Sequence, residues 1–274
     1  LGANSLVSAA NTVSVGGGLA GNRRITNVAN GTGNYDAVNL GQLNSALALT
    51  LNDDYVKVNG SGTYASATGA NSIAIGNAAV ANGDSTTALG DGAQALNTDA
   101  TALGQNSYAS GVQSTATGYA AHATGPGASA FGDGANASNQ LATAVGAGAN
   151  ASGLFSTALG DLSTASGQSA NAIGDRATAS GARSDAMGWY ATASNINSVA
   201  IGSQSIASGY RTIALGSYSS AAGDFSTAVG DRSSAGGYGS EAFGVLAKSA
   251  GRESFAGGTL ANAIVLRDGK PVGG

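Results

Sequence analysis

Small and apolar residues recur along this chain with a period of fourteen positions. A glycine stands at every fourteenth position from Gly76 to Gly258 without a slip, and an alanine precedes each of them by two positions. Seven positions before each glycine stands another glycine, replaced by asparagine at Asn97, Asn139 and Asn195. Gly and Asn tolerate positive φ, so the pattern predicts two tight corners in every repeat. Each repeat then predicts one coil of a parallel β-solenoid, with two strands of about five residues.

The alternation within each strand predicts which residues face inward. Ala74 and Gly76 share one face of their strand, and Ile73 and Ile75 share the other. A second column of alanines runs at the same spacing from Ala67, with Ser249 as its one exception. Columns restricted to small side chains predict a flat, thin interior between the two strands of each coil.

The outward face of the first strand carries a nearly unbroken apolar column, interrupted only by Thr117 and Gly257. Its members are Ile75, Leu89, Leu103, Phe131, Val145, Leu159, Ile173, Met187, Ile201, Leu215, Val229 and Phe243. At about 4.8 Å per coil the column is roughly 65 Å long, more than a soluble monomer leaves exposed. Full burial of these residues is worth on the order of 20 to 35 kcal/mol before association entropy. The column therefore predicts a homo-oligomer, and one narrow edge per chain favours three-fold symmetry.

Composition narrows the classes of function. The chain has 45 glycines, 9% charged residues and a net charge of −4, and only 11 Lys and Arg. Without a basic cluster, nucleic acid and anionic membranes are not expected as partners. There is no cysteine and no apolar run of about 20 residues, so neither disulfides nor a spanning helix is predicted. Because the sequence opens on Leu1, we expect a piece of a longer protein.

A different pattern precedes the repeats. Residues 21–31 read Gly-Asn-Arg-Arg-Ile-Thr-Asn-Val-Ala-Asn-Gly, and residues 36–43 read Asp-Ala-Val-Asn-Leu-Gly-Gln-Leu. Asp36 is a residue type that caps helices, which predicts a helix after it. Leu40, Leu43 and Leu47 give that helix a short seam at heptad-like spacing, as in a coiled coil.

This stretch resembles the neck of trimeric autotransporter adhesins, and the repeat resembles their YadA-like head. The residues that carry the neck resemblance are Asn22, Arg23, Ile25, Thr26, Asn27, Val28, Asp36, Val38, Asn39, Gln42 and Leu43. Asn30 and Tyr35 depart from the family pattern. The resemblance implies an all-β, left-handed parallel β-roll, homotrimeric with the apolar column at its axis, and a neck that narrows the head onto a short coiled coil.

The resemblance also implies a domain order and a function. Residues 1–16 would end a preceding β-roll head, 17–44 form a neck, 45–60 a short coiled coil and re-entry strand, 61–263 a YadA-like head, and 264–274 the start of a following module. The expected function is a bacterial surface adhesin, with lectin-like or haemagglutinating activity also fitting. Its partners would be host matrix proteins or cell-surface receptors, and its outer-membrane anchor would lie outside this sequence. A purely structural spacer in a surface fibre is the alternative.

The residues give no support for an enzyme, metal or cofactor site. His122, the one histidine, falls in an outward column without an activating partner. Asp91, Asp133, Asp161, Asp175 and Asp231 follow corner glycines and would stack along one corner. They are mostly not in adjacent coils, so they cannot supply the six to eight oxygens that Ca²⁺ takes, and no metal is predicted.

Three candidate binding surfaces remain: two outward columns and one corner. A threonine column could indicate an ice-binding face, although Asn171, Asp185 and Glu241 interrupt it; its members are Thr87, Thr101, Thr115, Thr143, Thr157 and Thr227. Trp189 and Tyr190 stand at a corner where other coils have small or polar residues, and could anchor a ligand or a neighbouring chain. The second strand presents a mostly polar ladder of Gln94, Tyr108, His122, Asn136, Asn150, Thr164, Thr178 and Thr192.

Overall fold

The chain forms two compact units, Leu1–Asn59 and Gly60–Gly274. The computed structural model describes residues 10–13, 15, 24–51, 63–263, 266–267 and 270–271. Two residues of the neck motif, Asn22 and Arg23, lie outside the described residues, as does the re-entry strand expected before residue 60.

The first unit has one helix in its described part, α1 at Leu40–Leu51. An irregular segment of residues 24–39 leads into it. Three apolar side chains in the described part of this unit are largely exposed: Ile25 is 67% exposed, Val38 66% and Leu40 71%.

The second unit is a parallel β-solenoid in which every coil adds one strand to each of two sheets. The first sheet has fourteen strands of three residues: β2 Ile73–Ile75, β4 Thr87–Leu89, β6 Thr101–Leu103, β8 Thr115–Thr117, β10 Ser129–Phe131, β12 Thr143–Val145, β14 Thr157–Leu159, β16 Asn171–Ile173, β18 Asp185–Met187, β20 Val199–Ile201, β22 Ile213–Leu215, β24 Thr227–Val229, β26 Glu241–Phe243 and β28 Phe255–Gly257. The second sheet has fifteen strands of two residues: β1 Ser66–Ala67, β3 Val80–Ala81, β5 Gln94–Ala95, β7 Tyr108–Ala109, β9 His122–Ala123, β11 Asn136–Ala137, β13 Asn150–Ala151, β15 Thr164–Ala165, β17 Thr178–Ala179, β19 Thr192–Ala193, β21 Ile206–Ala207, β23 Ser220–Ala221, β25 Ser234–Ala235, β27 Lys248–Ser249 and β29 Asn262–Ala263.

The register between neighbouring coils is fourteen residues throughout. Leu159 pairs with Ile173 in the first sheet, and Ala151 with Ala165 in the second. The strands are shorter than the five residues predicted, because the turns take up the remaining positions. These turns are also bonded from coil to coil: the Leu162 N–H donates to the Ala147 carbonyl at 2.8 Å. Backbone pairing therefore continues around almost the whole coil.

The interior consists of small side chains, as the sequence predicts. In the first sheet the alanines from Ala88 to Ala242 are fully buried, and in the second those from Ala81 to Ala235. Two further columns, of alanine, serine and threonine, stand directly before the strands and are also mostly buried; the sequence reading did not identify them as interior. Most of their hydroxyls donate to the corner carbonyl three residues earlier, as Ser156 does to Gly153 at 2.7 Å and Ser163 to Gly160 at 2.9 Å; those of Ser226, Ser233 and Ser240 have no partner among the described residues. A serine that makes this bond is satisfied locally, so alanine and serine can alternate there.

The corners differ from the prediction in which residue takes the left-handed conformation. Gly160 has a φ of +132°, but Gly153, in the other glycine column, has no positive φ. The left-handed residues stand two positions after each, at Leu162 with φ 52° and Phe155 with φ 59°. Gly153 is required for another reason: a Cβ there would overlap the carbonyl oxygen of Gly167 in the next coil. The close stacking of coils, and not backbone handedness, favours glycine in that column, in which asparagine stands in three coils.

After the last coil, β30 at Leu266–Arg267 pairs antiparallel with β31 at Lys270–Pro271. Among the residues that the structure describes, no helix has both the length and the apolar character needed to cross a bilayer.

Candidate functional site

The apolar column lies on the outer face of the first sheet. From Leu89 to Phe243 each of its residues alternates with a fully buried alanine, and each residue of the column is aligned with the same position of the next coil, as Val145 is with Leu159. Leu103 and Phe131 are 40% exposed and Leu159 is 43% exposed. The neighbours within the column cover part of each side chain, and the outer half faces away from the roll. The single chain thus carries a long apolar strip, interrupted within the sheet by Thr117.

At the end of this strip, the adjacent column supplies the apolar side chain that Gly257 lacks. Gly257 interrupts the apolar sequence, but the ring of Phe255 lies where a side chain on Gly257 would stand. Phe255 also contacts Phe243, with ring centroids 6.0 Å apart. The apolar surface therefore extends to the last strand of the sheet.

The threonine column runs beside the apolar strip on the same face. Asn171 and Asp185 interrupt it and are joined by a hydrogen bond of 2.7 Å from Asn171 Nδ2 to Asp185 Oδ1. Glu241 adds a second carboxylate to the column, and it is exposed, whereas Asp185 is half-buried. A charged and uneven column next to an apolar strip is poorly matched to an ice lattice, which leaves the threonines as flanks of the strip.

The outer ladder of the second sheet is in register from coil to coil. Tyr108 aligns with His122, and their rings are 5.7 Å apart. Asn136 Nδ2 donates to Asn150 Oδ1 at 3.0 Å. His122 is exposed and has no hydrogen bond among the described residues, so it has no arrangement that would activate it as a base. The ladder offers hydroxyl, amide and ring groups at strand spacing, and no formal charge.

The neck motif is held together by two side chains at the start of α1. Gln42 Oε1 accepts the Gly31 N–H and Gln42 Nε2 donates to the Gly31 carbonyl, each at 2.9 Å. Asn39 Oδ1 accepts the Gln42 N–H at 2.9 Å, and Asn39 Nδ2 donates to the Val28 carbonyl at 3.1 Å. Asn39 is therefore the helix cap. The extended segment is fixed against the first turn of the helix.

Asp36 does not cap the helix, contrary to the expectation from the sequence. Its Oδ2 accepts the N–H groups of Thr32 and Gly33, each at 2.8 Å, and closes the turn that precedes the helix. These backbone hydrogen bonds, that of Gly33 first, lower the pKa of Asp36 below its ordinary value of 3.8. Asx-type turns compete with caps for the same residue type, and the sequence alone does not separate them.

The first corner of each coil is the turn that follows its strand in the first sheet. The aspartates at this corner have a different side-chain partner from one coil to another. Asp175 contacts Arg176 at 3.4 Å, and Asp231 contacts Arg232 at 3.0 Å. Asp91 instead accepts a hydrogen bond from Asn77 at 3.0 Å. Within the described residues no group of three or more acidic or imidazole side chains is close enough to hold a metal ion.

Trp189 and Tyr190 border an open groove of about 500 Å³. The groove is also lined by Thr192, Gln204, Ile206 and Tyr218. The sequence reading singled out Trp189 and Tyr190 and placed Thr192 in the polar ladder, but it missed Gln204, Ile206 and Tyr218. The signal was present, since Gln204 and Tyr218 stand fourteen and twenty-eight positions after Tyr190, and Ile206 stands fourteen after Thr192.

A second aromatic cluster lies at the other corner of nearby coils. The ring of Phe225 is 5.4 Å from that of Tyr210 and 5.4 Å from that of Tyr238. Arg211 and Arg252 lie over the two outer rings, at 5.5 Å and 5.0 Å. These rings meet edge-to-face along the corner, with interplanar angles of 84° and 65°.

Comparison with known proteins identifies the repeat. The model of the YadA head domain repeat, which spans two copies, matches residues 61–79, 67–93, 81–107, 95–121, 109–135, 137–163, 160–184, 179–205 and 207–233. These matches cover more than half of the chain. The chain is also similar to a crystal structure of the collagen-binding domain of the Yersinia adhesin YadA. The identity is 26% and the TM-score 0.28, over 53% of this chain and 66% of that one. The chain thus covers just under two thirds of that solved domain. No curated protein matches it.

Proposed function

The chain belongs to the YadA head family and is a head fragment of a trimeric autotransporter adhesin, and from that premise we propose that it binds host cells or extracellular matrix as a homotrimer. The observation that carries this proposal is the division of the outer surface into two kinds of face. The first sheet carries a long apolar strip, suited to association, and the second sheet carries an uncharged polar ladder, suited to contact with a partner.

The apolar strip is the proposed trimer interface, formed by the twelve residues of the column from Ile75 to Phe243. Seven of these side chains are 37% to 43% exposed and the other five less, so association removes at most about 40% of each from water. The gain is then at most about 10 kcal/mol per chain, or about 30 kcal/mol for three chains. Joining three chains takes two association steps, each costing about 4 to 15 kcal/mol. Burial of the strip therefore offsets the cost of association over most of that range, and the flanking column is a further contribution.

The described part of residues 17–44 supports a neck that depends on the same three-fold association. Ile25, Val38, Leu40 and Leu43 are exposed in the single chain although all are apolar. Three copies brought together would cover them against each other. We assign the remaining segments as the sequence suggests: 1–16 to a preceding head, 45–60 to a coiled coil and re-entry strand, 61–263 to the head, and 264–274 to a following module. We also propose that the protein stands on the bacterial surface and that its outer-membrane anchor lies outside the sequence given.

Solid-phase binding of the protein to collagen, fibronectin, laminin and whole host cells tests the adhesive function. We expect binding to at least one of these surfaces, and a progressive loss of binding as whole fourteen-residue coils are removed. Each coil contacts mainly its neighbours, so the shortened heads should stay folded and assembled. Weak contacts repeated along a ladder and over three chains make avidity the source of affinity.

Absence of binding to every surface, with the assembly intact, would contradict the adhesive function. The alternative would then hold, in which the roll is a spacer that carries another domain away from the cell. The same assay with red cells detects haemagglutination.

A further inference from the structure

The groove at Trp189 differs from the rest of the roll because it interrupts a surface that otherwise repeats. Its six lining residues come from three successive coils, at the first corner and on the second sheet. Tyr190, Gln204 and Tyr218 occupy the left-handed corner position of their coils, with φ of 53°, 54° and 57°. Thr192 and Ile206 are aligned neighbours on β19 and β21. The coil register thus assembles one concave site from positions that are small or polar in most other coils.

The groove is bounded by rings that are fixed in place. Trp189 packs edge-to-face on Tyr190, with centroids 4.7 Å apart. Arg176 lies over the Tyr190 ring at 5.4 Å, and Arg232 lies over the Tyr218 ring at 5.2 Å. Such cation–π contacts and aromatic pairs favour one arrangement of these large exposed side chains.

The rim of the groove is electrically neutral. Each of its two arginines is paired with the aspartate that precedes it, Arg176 with Asp175 and Arg232 with Asp231. The lining itself has no ionisable group other than the tyrosine hydroxyls. A site for an anionic ligand would present an unpaired cation, and this one does not.

Polar groups of both kinds are available inside the groove. Gln204 Nε2 donates to the Tyr218 hydroxyl at 3.4 Å, and the amide oxygen of Gln204 accepts no hydrogen bond from any described residue. Within the same part of the chain, the Trp189 indole N–H and the hydroxyls of Tyr190 and Thr192 also have no partner. A matching ligand therefore has both donors and acceptors in addition to an apolar face.

We propose that this groove binds a neutral saccharide, a function separate from matrix binding along the ladder. Sugar rings combine a C–H face, which packs on aromatic rings, with hydroxyls that both donate and accept. The volume of about 500 Å³ falls within the range of about 300 to 1,000 Å³ that is typical of small-ligand sites. A proline-rich segment also packs on aromatic grooves, but its proline residues have no N–H to donate to the Gln204 oxygen, so it offers fewer donors than a sugar does.

The position of the groove also separates it from the proposed trimer interface. Thr192 and Ile206 lie on the second sheet, whereas the apolar strip lies on the first. The groove should therefore stay open in the assembled protein.

Trp189 is the only tryptophan of the chain, so its fluorescence reports on this groove alone. The probes are methyl glycosides of galactose, glucose, mannose and N-acetylglucosamine, together with lactose; sialyllactose is the charged comparison and a Pro-Pro-Gly repeat peptide the proline-rich one. We expect a saturable change in Trp189 emission with at least one neutral sugar, at lower concentration than with either comparison ligand. We also expect acrylamide to quench Trp189 fully in the assembled protein before sugar is added.

Variants locate the binding. By calorimetry, Trp189→Ala and Tyr218→Ala should each weaken binding of that sugar at least tenfold, and Tyr218→Phe, which keeps the ring, should weaken it less. Tyr119→Ala is the matched control: Tyr119 is 55% exposed and occupies the same corner column as Trp189, five coils earlier. It should bind as the unaltered protein does. Circular dichroism confirms that each variant is folded.

Four results would overturn the proposal: no saturable response to any neutral sugar, tighter binding of the peptide, equal loss in the Tyr119 variant, or a Trp189 shielded from acrylamide by another copy of the chain. Failure of the matrix-binding function is a separate result. Saccharide binding without matrix binding contradicts only the adhesive proposal, and matrix binding that survives in every variant, with no sugar response, contradicts only this one.

Discussion

Gln42 and Gly31 form a reciprocal pair in which the side-chain amide of one residue both accepts from and donates to the backbone of the other, at 2.9 Å in each direction. The pair joins the extended segment of the neck to the first turn of α1. Replacing Gln42 by alanine removes both hydrogen bonds, each worth about 1 kcal/mol. We expect the Gly31 amide to exchange with solvent about ten times faster or more, measured by hydrogen exchange. Asn44→Ala, on an exposed helix position without side-chain hydrogen bonds in the described structure, should leave the rate unchanged.

The turn before this helix should respond to acid. Its Asp36 carboxylate has a pKa lowered by the N–H groups of Gly33 and Thr32. Because the folded pKa lies below the unfolded one, the stabilisation is present above the ordinary value of 3.8 and is lost as the pH falls through the folded pKa. A carboxyl titration by NMR should show a midpoint below 3.8, and Asp36→Asn should remove the effect. A midpoint at or above 3.8 would contradict the assigned hydrogen bonds.

Leu159→Asp should disrupt assembly without unfolding the single roll. The side chain of Leu159 lies outside the interior, so the coil itself is unaffected, but three carboxylates would meet in the proposed interface, where unpaired charge is costly. Light scattering should show a trimer for the unaltered protein and smaller species for the variant. Thr164→Asp, on the opposite sheet, should remain trimeric. Equal assembly of the two variants would show that the apolar strip is not the interface.

Two adjacent glycines should respond in opposite ways to the same substitution. A Cβ on Gly237 would overlap the carbonyl oxygen of Gly251, whereas a Cβ on Gly236 meets nothing within 4 Å. Gly237→Ala should cost about 1 to 3 kcal/mol through overpacking, and Gly236→Ala should be neutral or slightly stabilising. Calorimetry should show a melting temperature lower by several degrees for the first variant only. Similar melting temperatures would mean that the coils can separate to admit a methyl group.

Three buried hydroxyls are expendable. Ser226, Ser233 and Ser240 are fully buried and their hydroxyls have no hydrogen-bond partner, unlike Ser156, which donates to Gly153. Alanine occupies the equivalent positions in other coils, so the triple change to alanine should raise the melting temperature. Ser156→Ala should lower it slightly, by the loss of about 1 kcal/mol. A destabilised triple variant would show that these hydroxyls have partners after all.

The sequence predicted the parts of the fold that depend on side-chain size and spacing. Ala158 and Ala165 stand seven positions apart, and the neighbouring coils have alanines at the same spacing. This spacing is enough to predict two facing strands and an interior of small residues. The corners were predicted less well. The role of Gly153 depends on how closely the carbonyl oxygen of Gly167 in the next coil approaches it, and the local sequence pattern does not reveal that distance. The groove was half predicted for a similar reason: Trp189 is conspicuous by itself, whereas Gln204 becomes part of a site only after the coils are stacked.

The likeness between the two halves of each coil has a consequence for how the roll must fold. Interior alanines, corner glycines and strand-starting small residues all recur at seven as well as at fourteen positions, so the interior barely distinguishes one half-coil from the other. Suppose that the chain paired with a shift of seven residues at one coil during folding. The same kinds of side chain would still be buried, but the apolar residues after the shift would lie on the second sheet instead of the first. Only a roll without such a shift presents one straight apolar strip along the first sheet. In the proposed trimer, association would therefore favour the correctly phased roll, a choice that the interior of the single roll leaves undefined.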